Sequence, residues 1–111
     1  MFIFDNIHNT GTAKFVLLKD AYDNIILRSN EKLERHRDLV KAEQDSGTIL
    51  KQVLGGGWLK INENEINAYG ESKYFGIASS LIMQDILTKK FPNHIIKLNL
   101  GNNLKNKKQQ K

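Results

Sequence analysis

The alternation of apolar and polar residues along the chain predicts several short strands. Six segments carry a strand pattern, either a short apolar run or an alternation: 14–19, 25–28, 48–54, 58–62, 65–69 and 94–100. The polar tip Glu63-Asn64 joins the fourth and fifth segments and predicts a hairpin. The glycines Gly55–Gly57 separate the third and fourth, and we expect them to break regular structure there.

Two further segments carry a helical pattern. The first begins at about Arg35, has a modest apolar face and is expected to stop at Ser46-Gly47, because glycine accepts the left-handed conformation at a helix end. The second is predicted over about residues 75–90 and ends before Pro92. Its apolar residues recur at helical spacing: Tyr74, Ile77, Ala78, Leu81, Ile82 and Ile86. Together these elements predict an α/β (α+β) domain in which two helices cover a sheet of about six strands.

Length and charge indicate one domain with a basic tail. The 111 residues suit a single core, which we place at residues 1–100, with 1–11 expected to be mobile. The net charge of +5 comes mostly from residues 101–111, which hold four lysines and no acid. Residues 1–100 hold thirteen basic and twelve acidic residues, so the body is nearly neutral. We expect the tail to be disordered and solubilising, and nucleic acid is not the expected partner.

Several classes of protein are excluded by composition. Cysteine is absent, which excludes disulfides, thiolate zinc sites and cysteine nucleophiles and fits a cytoplasmic location. No window approaches 18 consecutive apolar residues, so we expect no membrane partner. The first eleven residues lack the basic and apolar regions of a signal peptide.

Two glycine-containing stretches are candidates for ligand binding. Gly55–Gly57 could bring the backbone close to a ligand, although a tight connection between strands explains them equally well. "YGESKYFG", residues 69–76, lies between a strand and the second predicted helix. Amides at a helix start favour an anion such as phosphate. Ser72 could cap that helix or donate its hydroxyl to a phosphoryl oxygen, and Lys73 could add positive charge.

Of the three histidines, His36 is the candidate for chemistry. His8 falls in the segment expected to be mobile, and His94 begins a strand. His36 lies near the start of the first helix between Arg35 and Arg37, whose charges would lower its pKa and leave a neutral imidazole if they lie close to it. A surface or capping role is the alternative. No two histidines have metal-ligand spacing, so no metal site is expected.

The order of these motifs resembles the Janus/ocnus family. Lys14 precedes "FVLL", Arg28 ends the second strand, and His36 follows eight residues later. "LGGG", "YGESKYFG" and an amphipathic segment ending in "KKFPNH" come next in the chain. The resemblance covers about residues 11–100. Known members of the family are protein phosphohistidine phosphatases, and the resemblance implies a mixed β-sheet flanked by two main helices.

The resemblance assigns a role to particular residues. The catalytic histidine of the family falls on His36, and its phosphate-binding lysine falls on Lys14. Its loop serine falls on Ser72. Amides that hold phosphate oxygens would belong to Arg37 and Tyr74. The other two implied phosphate-binding positions are Lys73, in the serine loop, and Arg28, which matches a family arginine at the same distance before the histidine.

The chain also departs from the family pattern. Trp58 stands where relatives often have arginine, and Tyr74 where they commonly have a small residue. Glu71 stands beside the loop serine, and the segment between His36 and "LGGG" is a few residues shorter. These departures concern the mouth of the pocket and the breadth of substrates.

The expected activity is therefore metal-independent hydrolysis of the P–N bond in phosphohistidine proteins, by a monomer without cofactors. His36 acts as general base, or alternatively as a nucleophile. One alternative function is a phosphate-binding or phosphoprotein-binding module with weak or no catalysis. A nucleic-acid-binding protein that uses the basic tail is the other.

Overall fold

The computed structural model describes residues 1–32 and 35–101. Eight helices and strands follow one another in this part of the chain: β1 (Phe2–Ile3), β2 (Gly11–Asp20), β3 (Ile25–Ser29), α1 (His36–Asp45), β4 (Leu50–Ile61), β5 (Glu65–Gly70), α2 (Ser80–Lys90) and β6 (Ile95–Leu100). The basic tail expected at 101–111 lies outside the described residues from position 102 onward.

The strands form one mixed sheet in the order β1-β3-β2-β4-β5-β6. The β1–β3 and β5–β6 pairs are parallel, and the other neighbours are antiparallel. The two helices pack on opposite faces of this sheet, because each belongs to a different hydrophobic cluster. The predicted α+β class, with six strands and two helices, is confirmed.

The core lies on both sides of β2, the strand at the centre of the sheet. Successive side chains of a strand point to opposite faces. Phe15 and Leu17 accordingly pack in the cluster that contains Met83 of α2. Val16 and Leu18 pack in the cluster that contains Leu39 of α1. The "FVLL" run is fully buried because both of its faces are covered.

The expected break at Gly55–Gly57 is wrong, since the segments predicted at 48–54 and 58–62 form the single strand β4. Pairing with β2 continues through all three glycines and outweighs their weak strand propensity. The interruption is only a register shift beside Leu54, where Leu17 pairs with Gly55 and Leu18 with Val53. The sixth strand is β1, which the sequence pattern did not indicate.

The start predicted for the second helix is also wrong, because α2 begins at Ser80 and not at residue 75. Ser79 occupies the N-cap and accepts a hydrogen bond from the Ile82 amide at 3.3 Å. In the preceding segment a bridge between Ser72 and Gly76 closes a turn, and a bridge from Ile77 to Gly56 holds the segment to β4. Tyr74 and Ile77 therefore do not belong to the helix.

The first helix has the predicted bounds and is tied to β3 by charge. Ser46 and Gly47 end it, with Gly47 at φ +104° and its amide bonded to the Gln44 carbonyl. Glu43 is buried on the inner face and accepts a hydrogen bond from Arg28 Nη1 at 2.9 Å. This buried ion pair links α1 to β3, and removing either member would leave the other charge buried without a partner.

The N-terminal segment, expected from the sequence to be mobile, contributes β1 and buries His8. The His8 amide and Nδ1 lie 3.0 and 2.6 Å from Ser29 Oγ. His8 Nε2 lies 2.9 Å from the Gly11 carbonyl, to which it donates. The backbone amide and both ring nitrogens of this histidine are thus hydrogen-bonded within the fold.

Candidate functional site

The candidate base, His36, is the first residue of α1 and is half-buried against the sheet. Leu39, one turn later, is fully buried beneath the helix, and the Arg28–Glu43 pair fixes the next turn. These contacts hold the N-terminus of α1 over β4. The His36 ring is therefore directed by a fixed helix rather than by a free loop.

Glycine at position 56 makes room for the ring. A Cβ placed on Gly56 would lie 2.8 Å from His36 Cδ2 and 3.2 Å from the Ser72 Cβ. His36 and Ser72 therefore lie directly over the same backbone position of β4. The sequence left open whether Gly55–Gly57 served a ligand or a tight connection. In the structure Gly56 instead admits two side chains of the candidate site.

The next residue of β4 orients the imidazole. His36 Nε2 lies 2.9 Å from the Gly57 carbonyl oxygen. A carbonyl can only accept, so Nε2 carries a hydrogen and donates it. In the neutral ring Nδ1 then has no hydrogen and keeps its lone pair. The fold thereby selects the tautomer in which Nδ1 is the base.

The surroundings of the ring keep it neutral. Burial lowers the pKa of His36 below its ordinary value. The hydrogen bond with Gly57 raises the pKa in part, and the nearby ammonium of Lys14 lowers it further. The sequence predicted a lowered pKa from the two flanking arginines. The direction agrees, but the causes are desolvation and a lysine from another strand.

Lys14 reaches the site from β2. It pairs in register with Trp58 of β4, and its Nζ lies 5.2 Å from the centroid of the Trp58 ring. A cation at this distance is attracted to the face of an aromatic ring. The strand register and the tryptophan together place a positive charge close to His36.

Ser72 belongs to a closed turn in the connection between β5 and α2. Its backbone exchanges hydrogen bonds with Gly76, and its Oγ accepts one from the Phe75 amide at 3.0 Å. Accepting this bond leaves the hydroxyl hydrogen available for donation. Ser72 is only 1% exposed, and its side chain lines the same cavity as His36. The expectation that Ser72 caps the second helix is wrong, because Ser79 does so.

Two sets of backbone amides border the cavity. The Arg37 amide lies in the first turn of α1, where amides have no partner four residues earlier in the helix. Arg35, at the N-cap, makes no capping hydrogen bond with its side chain. In the described part of the Ser72 turn, the amides of Ser72, Phe75 and Gly76 donate hydrogen bonds and the Tyr74 amide does not. Arg37 and Tyr74 both line the cavity, so their amides are candidate donors to an anion.

These groups meet in one cavity of about 420 Å³. Eight residues line it: Lys14, Arg35, His36, Arg37, Ser72, Lys73, Tyr74 and Phe75. The structure thus brings together six of the seven residues assigned from the sequence. Arg28 is the exception, because its Nη1 is bonded to Glu43 and it lines a separate cavity of about 260 Å³. Arg28 thus contacts α1 through Glu43 and is not among the residues that line the cavity of His36.

A family model described as Janus/Ocnus matches residues 5–95. The chain belongs to the Janus/Ocnus family. No curated protein matches the chain. The match spans β2 through the start of β6, and so it includes every residue that lines the cavity of this Janus/Ocnus protein.

Sequence reasoning missed three contributions to the site of this Janus/Ocnus chain. Arg35 and Phe75 line the cavity, and the Gly57 carbonyl orients the base. Arg35 and Phe75 are adjacent in the sequence to the assigned residues His36 and Tyr74, and this adjacency was the signal that could have identified them. No sequence pattern indicates which carbonyl faces a histidine 21 residues away. Arg35 is paired with Asp38 through two contacts of 3.1 Å, which reduces its charge at the cavity.

In residues 1–32 and 35–101, no three histidine or acidic side chains cluster closely enough to hold a metal ion. Neither helix of this region is long and apolar enough to cross a membrane.

Proposed function

We propose that this Janus/Ocnus protein is a protein phosphohistidine phosphatase. The observation that carries the proposal is the donation of His36 Nε2 to the Gly57 carbonyl, which leaves Nδ1 as the basic atom of a neutral ring. The phosphoryl group would be held by the groups that share its cavity: Lys14, the Ser72 hydroxyl and the Arg37 and Tyr74 amides. The side chains of Arg37 and Lys73 add positive charge at its mouth.

The reaction is hydrolysis of the P–N bond. A water molecule attacks phosphorus opposite the substrate imidazole, and His36 Nδ1 takes a proton from that water. The new P–O bond forms as the P–N bond breaks, and the electron pair of the broken bond stays on the substrate nitrogen. That nitrogen takes up a proton, giving histidine and inorganic phosphate. Positioning and charge stabilisation supply most of the acceleration that such a labile bond needs.

The surroundings of the cavity favour this function over a binding module without turnover. Obstruction of the site by Trp58 or Tyr74, which depart from the family pattern, would explain a module without turnover. The Tyr74 side chain is 86% exposed and packs edge-on against Phe75, with ring centroids 5.0 Å apart. Trp58 does not line the cavity. Tyr74 lines the cavity with a side chain that is mostly in solvent, so neither aromatic residue fills the cavity.

We expect the purified protein to release inorganic phosphate from a phosphohistidine peptide faster than the peptide hydrolyses alone. The expected rate is unchanged by a chelator, because no step uses a metal. A matched phosphoserine peptide should release none. Its leaving group is the serine alkoxide, which leaves poorly, and no residue of this site is assigned to protonate it. Saturable binding of phosphohistidine peptide with no release above the spontaneous rate would favour the binding module.

The pH dependence tests the protonation state of His36. Because the neutral ring is active and its pKa lies below the ordinary value, kcat/KM should rise with pH on an acid limb below about pH 6.5 and level off above it. Lys14→Met removes a charge that lowers this pKa, so the acid limb should move to higher pH. Spontaneous hydrolysis and ionisation of the substrate affect the parent and the Lys14→Met variant equally, so they do not contribute to the difference between the two pH profiles. An acid limb that stays at the same pH would show that Lys14 does not lower the pKa of His36.

A further inference from the structure

Among residues 1–32 and 35–101, no helix lies over one half of one sheet face. The hydrophobic cluster under α2 includes residues of β5 and β6, such as Ile66 and Leu98. The described cluster under α1 draws its members from β1–β4 and α1, and none from β5 or β6. Helix α1 therefore covers β3, β2 and part of β4, and the rest of its face of the sheet is open.

The open face is formed by side chains that alternate with the buried residues of β4, β5 and β6. Six residues define it: Trp58, Lys60, Asn67, Tyr69, Lys97 and Asn99. Strand register arranges them in two rows, with Trp58, Tyr69 and Asn99 in one and Lys60, Asn67 and Lys97 in the other. Two aromatic rings thus stand side by side next to a row of polar and basic groups.

The charge of the open face is positive. Lys60 and Lys97 are exposed, and Lys14 stands beside Trp58 at the end of the aromatic row. Glu65 lies on the same face beyond the two rows, opposite Ile95, and it pairs with Lys97 at 3.1 Å. Three cations against one carboxylate favour an acidic partner. Trp58 and Tyr69 are partly exposed, and aromatic rings at a surface among polar groups are typical of protein interaction sites.

The open face is continuous with the candidate active site. Gly56, beneath His36 and Ser72, is two residues from Trp58 on the same face of β4. Two strand residues span only about 7 Å. Lys14 lines the cavity and also contacts the Trp58 ring. A chain whose phosphorylated side chain reached His36 would have its neighbouring residues over this face.

We infer that the open face docks the phosphohistidine-bearing protein through an acidic segment that flanks the phosphorylated residue. This inference rests on the proposed function and adds a substrate preference to it. Carboxylates of the segment face Lys60 and Lys97, and its apolar side chains pack on Trp58 and Tyr69. The tryptophan thereby both contacts the phosphate-binding lysine and begins the docking surface.

Single-stranded nucleic acid is the competing occupant, because lysines and exposed aromatic rings also bind stacked bases. Continuity with a cavity that holds a base and an anion-binding turn favours the phosphoprotein. The nearly neutral charge of residues 1–100 points the same way, since proteins that bind nucleic acid usually carry a strongly basic surface.

The test uses two peptides with a central non-hydrolysable phosphohistidine analogue, phosphonotriazolylalanine. One has glutamate and leucine flanks, and the other has lysine and serine flanks. Binding to the full-length protein is measured by fluorescence anisotropy, and turnover is measured with free phosphohistidine. The variant is Lys60→Gln with Lys97→Gln. Its matched control is Lys89→Gln with Lys90→Gln, which removes the same charge from the last turn of α2.

We expect the parent to bind the glutamate peptide more tightly than the lysine peptide. The Lys60→Gln, Lys97→Gln variant should weaken binding of the glutamate peptide about three- to tenfold, as expected for partly exposed charge pairs. Its turnover of free phosphohistidine should stay within about twofold of the parent, because neither lysine lines the cavity. The control variant should bind the glutamate peptide like the parent.

Equal effects of the two double variants would overturn the inference, because they would show a response to total charge alone. Equal parent affinity for the two peptides would overturn it as well. Loss of single-stranded DNA binding in the Lys60→Gln, Lys97→Gln variant, with peptide affinity intact, would assign the face to nucleic acid. Charge-dependent peptide binding without phosphate release from any substrate would support docking while rejecting the phosphatase.

Discussion

His36→Ala is expected to lower kcat/KM for a phosphohistidine peptide by about 10²–10⁴-fold, the usual contribution of a positioned general base. The ring is half-buried but lies at the start of α1, ahead of the buried residues that anchor the helix. The fold should therefore persist, with an unchanged circular dichroism spectrum. Phosphate release measured under matched conditions gives the loss of activity directly.

His36→Asn provides the matched control for shape and hydrogen bonding. An asparagine amide can donate to a carbonyl such as that of Gly57, but it has no basic nitrogen. Its activity should be as low as that of the alanine variant. Hydrolysis by His36→Ala near the parent rate would reject the assignment of the base. Trapping of acid-labile phosphate on His36 of the parent would instead establish the nucleophilic role.

Gly56→Ala is expected to reduce activity by about 100-fold, because a small displacement of reacting groups has effects of this size. The added methyl group would lie 2.8 Å from both His36 Cδ2 and the Phe15 carbonyl oxygen. The backbone of a central strand cannot move aside easily, so the ring and the strand must both shift. Overpacking of this kind also lowers the free energy of unfolding by about 1–3 kcal/mol.

Gly47→Ala separates the two effects of the Gly56 substitution. Gly47 has a positive φ of +104° and open space around it, so alanine there is strained but touches nothing. We expect some loss of stability in urea denaturation and parent-like activity well below the melting temperature. Parent-like activity in folded Gly56→Ala would show that the methyl group does not displace His36.

The sequence pattern was informative where neighbouring residues decide the structure. Gly47 ends α1 as expected, since the conformation at a helix end depends on the local chain. The hairpin of β4 and β5 was also predicted, and its pairing includes Ile61 with Ile66. His36, Lys14 and Ser72 were placed by resemblance, and spacing alone would not have joined three distant segments.

Where the sequence failed, distant contacts decided the structure. The glycine run suggested a break, but β2 pairs with it on one side and His36 and Ser72 lie over it. The spacing of Tyr74 and Ile77 suited a helix, yet bridges hold the Ser72 turn to the sheet. The expectation that Arg28 binds phosphate could not take account of Glu43, which is buried beside it on α1.

The hydrogen bond from His36 to the Gly57 carbonyl determines what can change the orientation of this imidazole. Catalytic histidines are often oriented by a carboxylate, which a single codon change can delete and which gains a proton in acid. A main-chain oxygen is present whatever amino acid is encoded, and it does not titrate. This acceptor is therefore not lost by protonation, but its position depends on glycine at 57, because a Cβ there would lie 2.6 Å from the Tyr69 carbonyl oxygen.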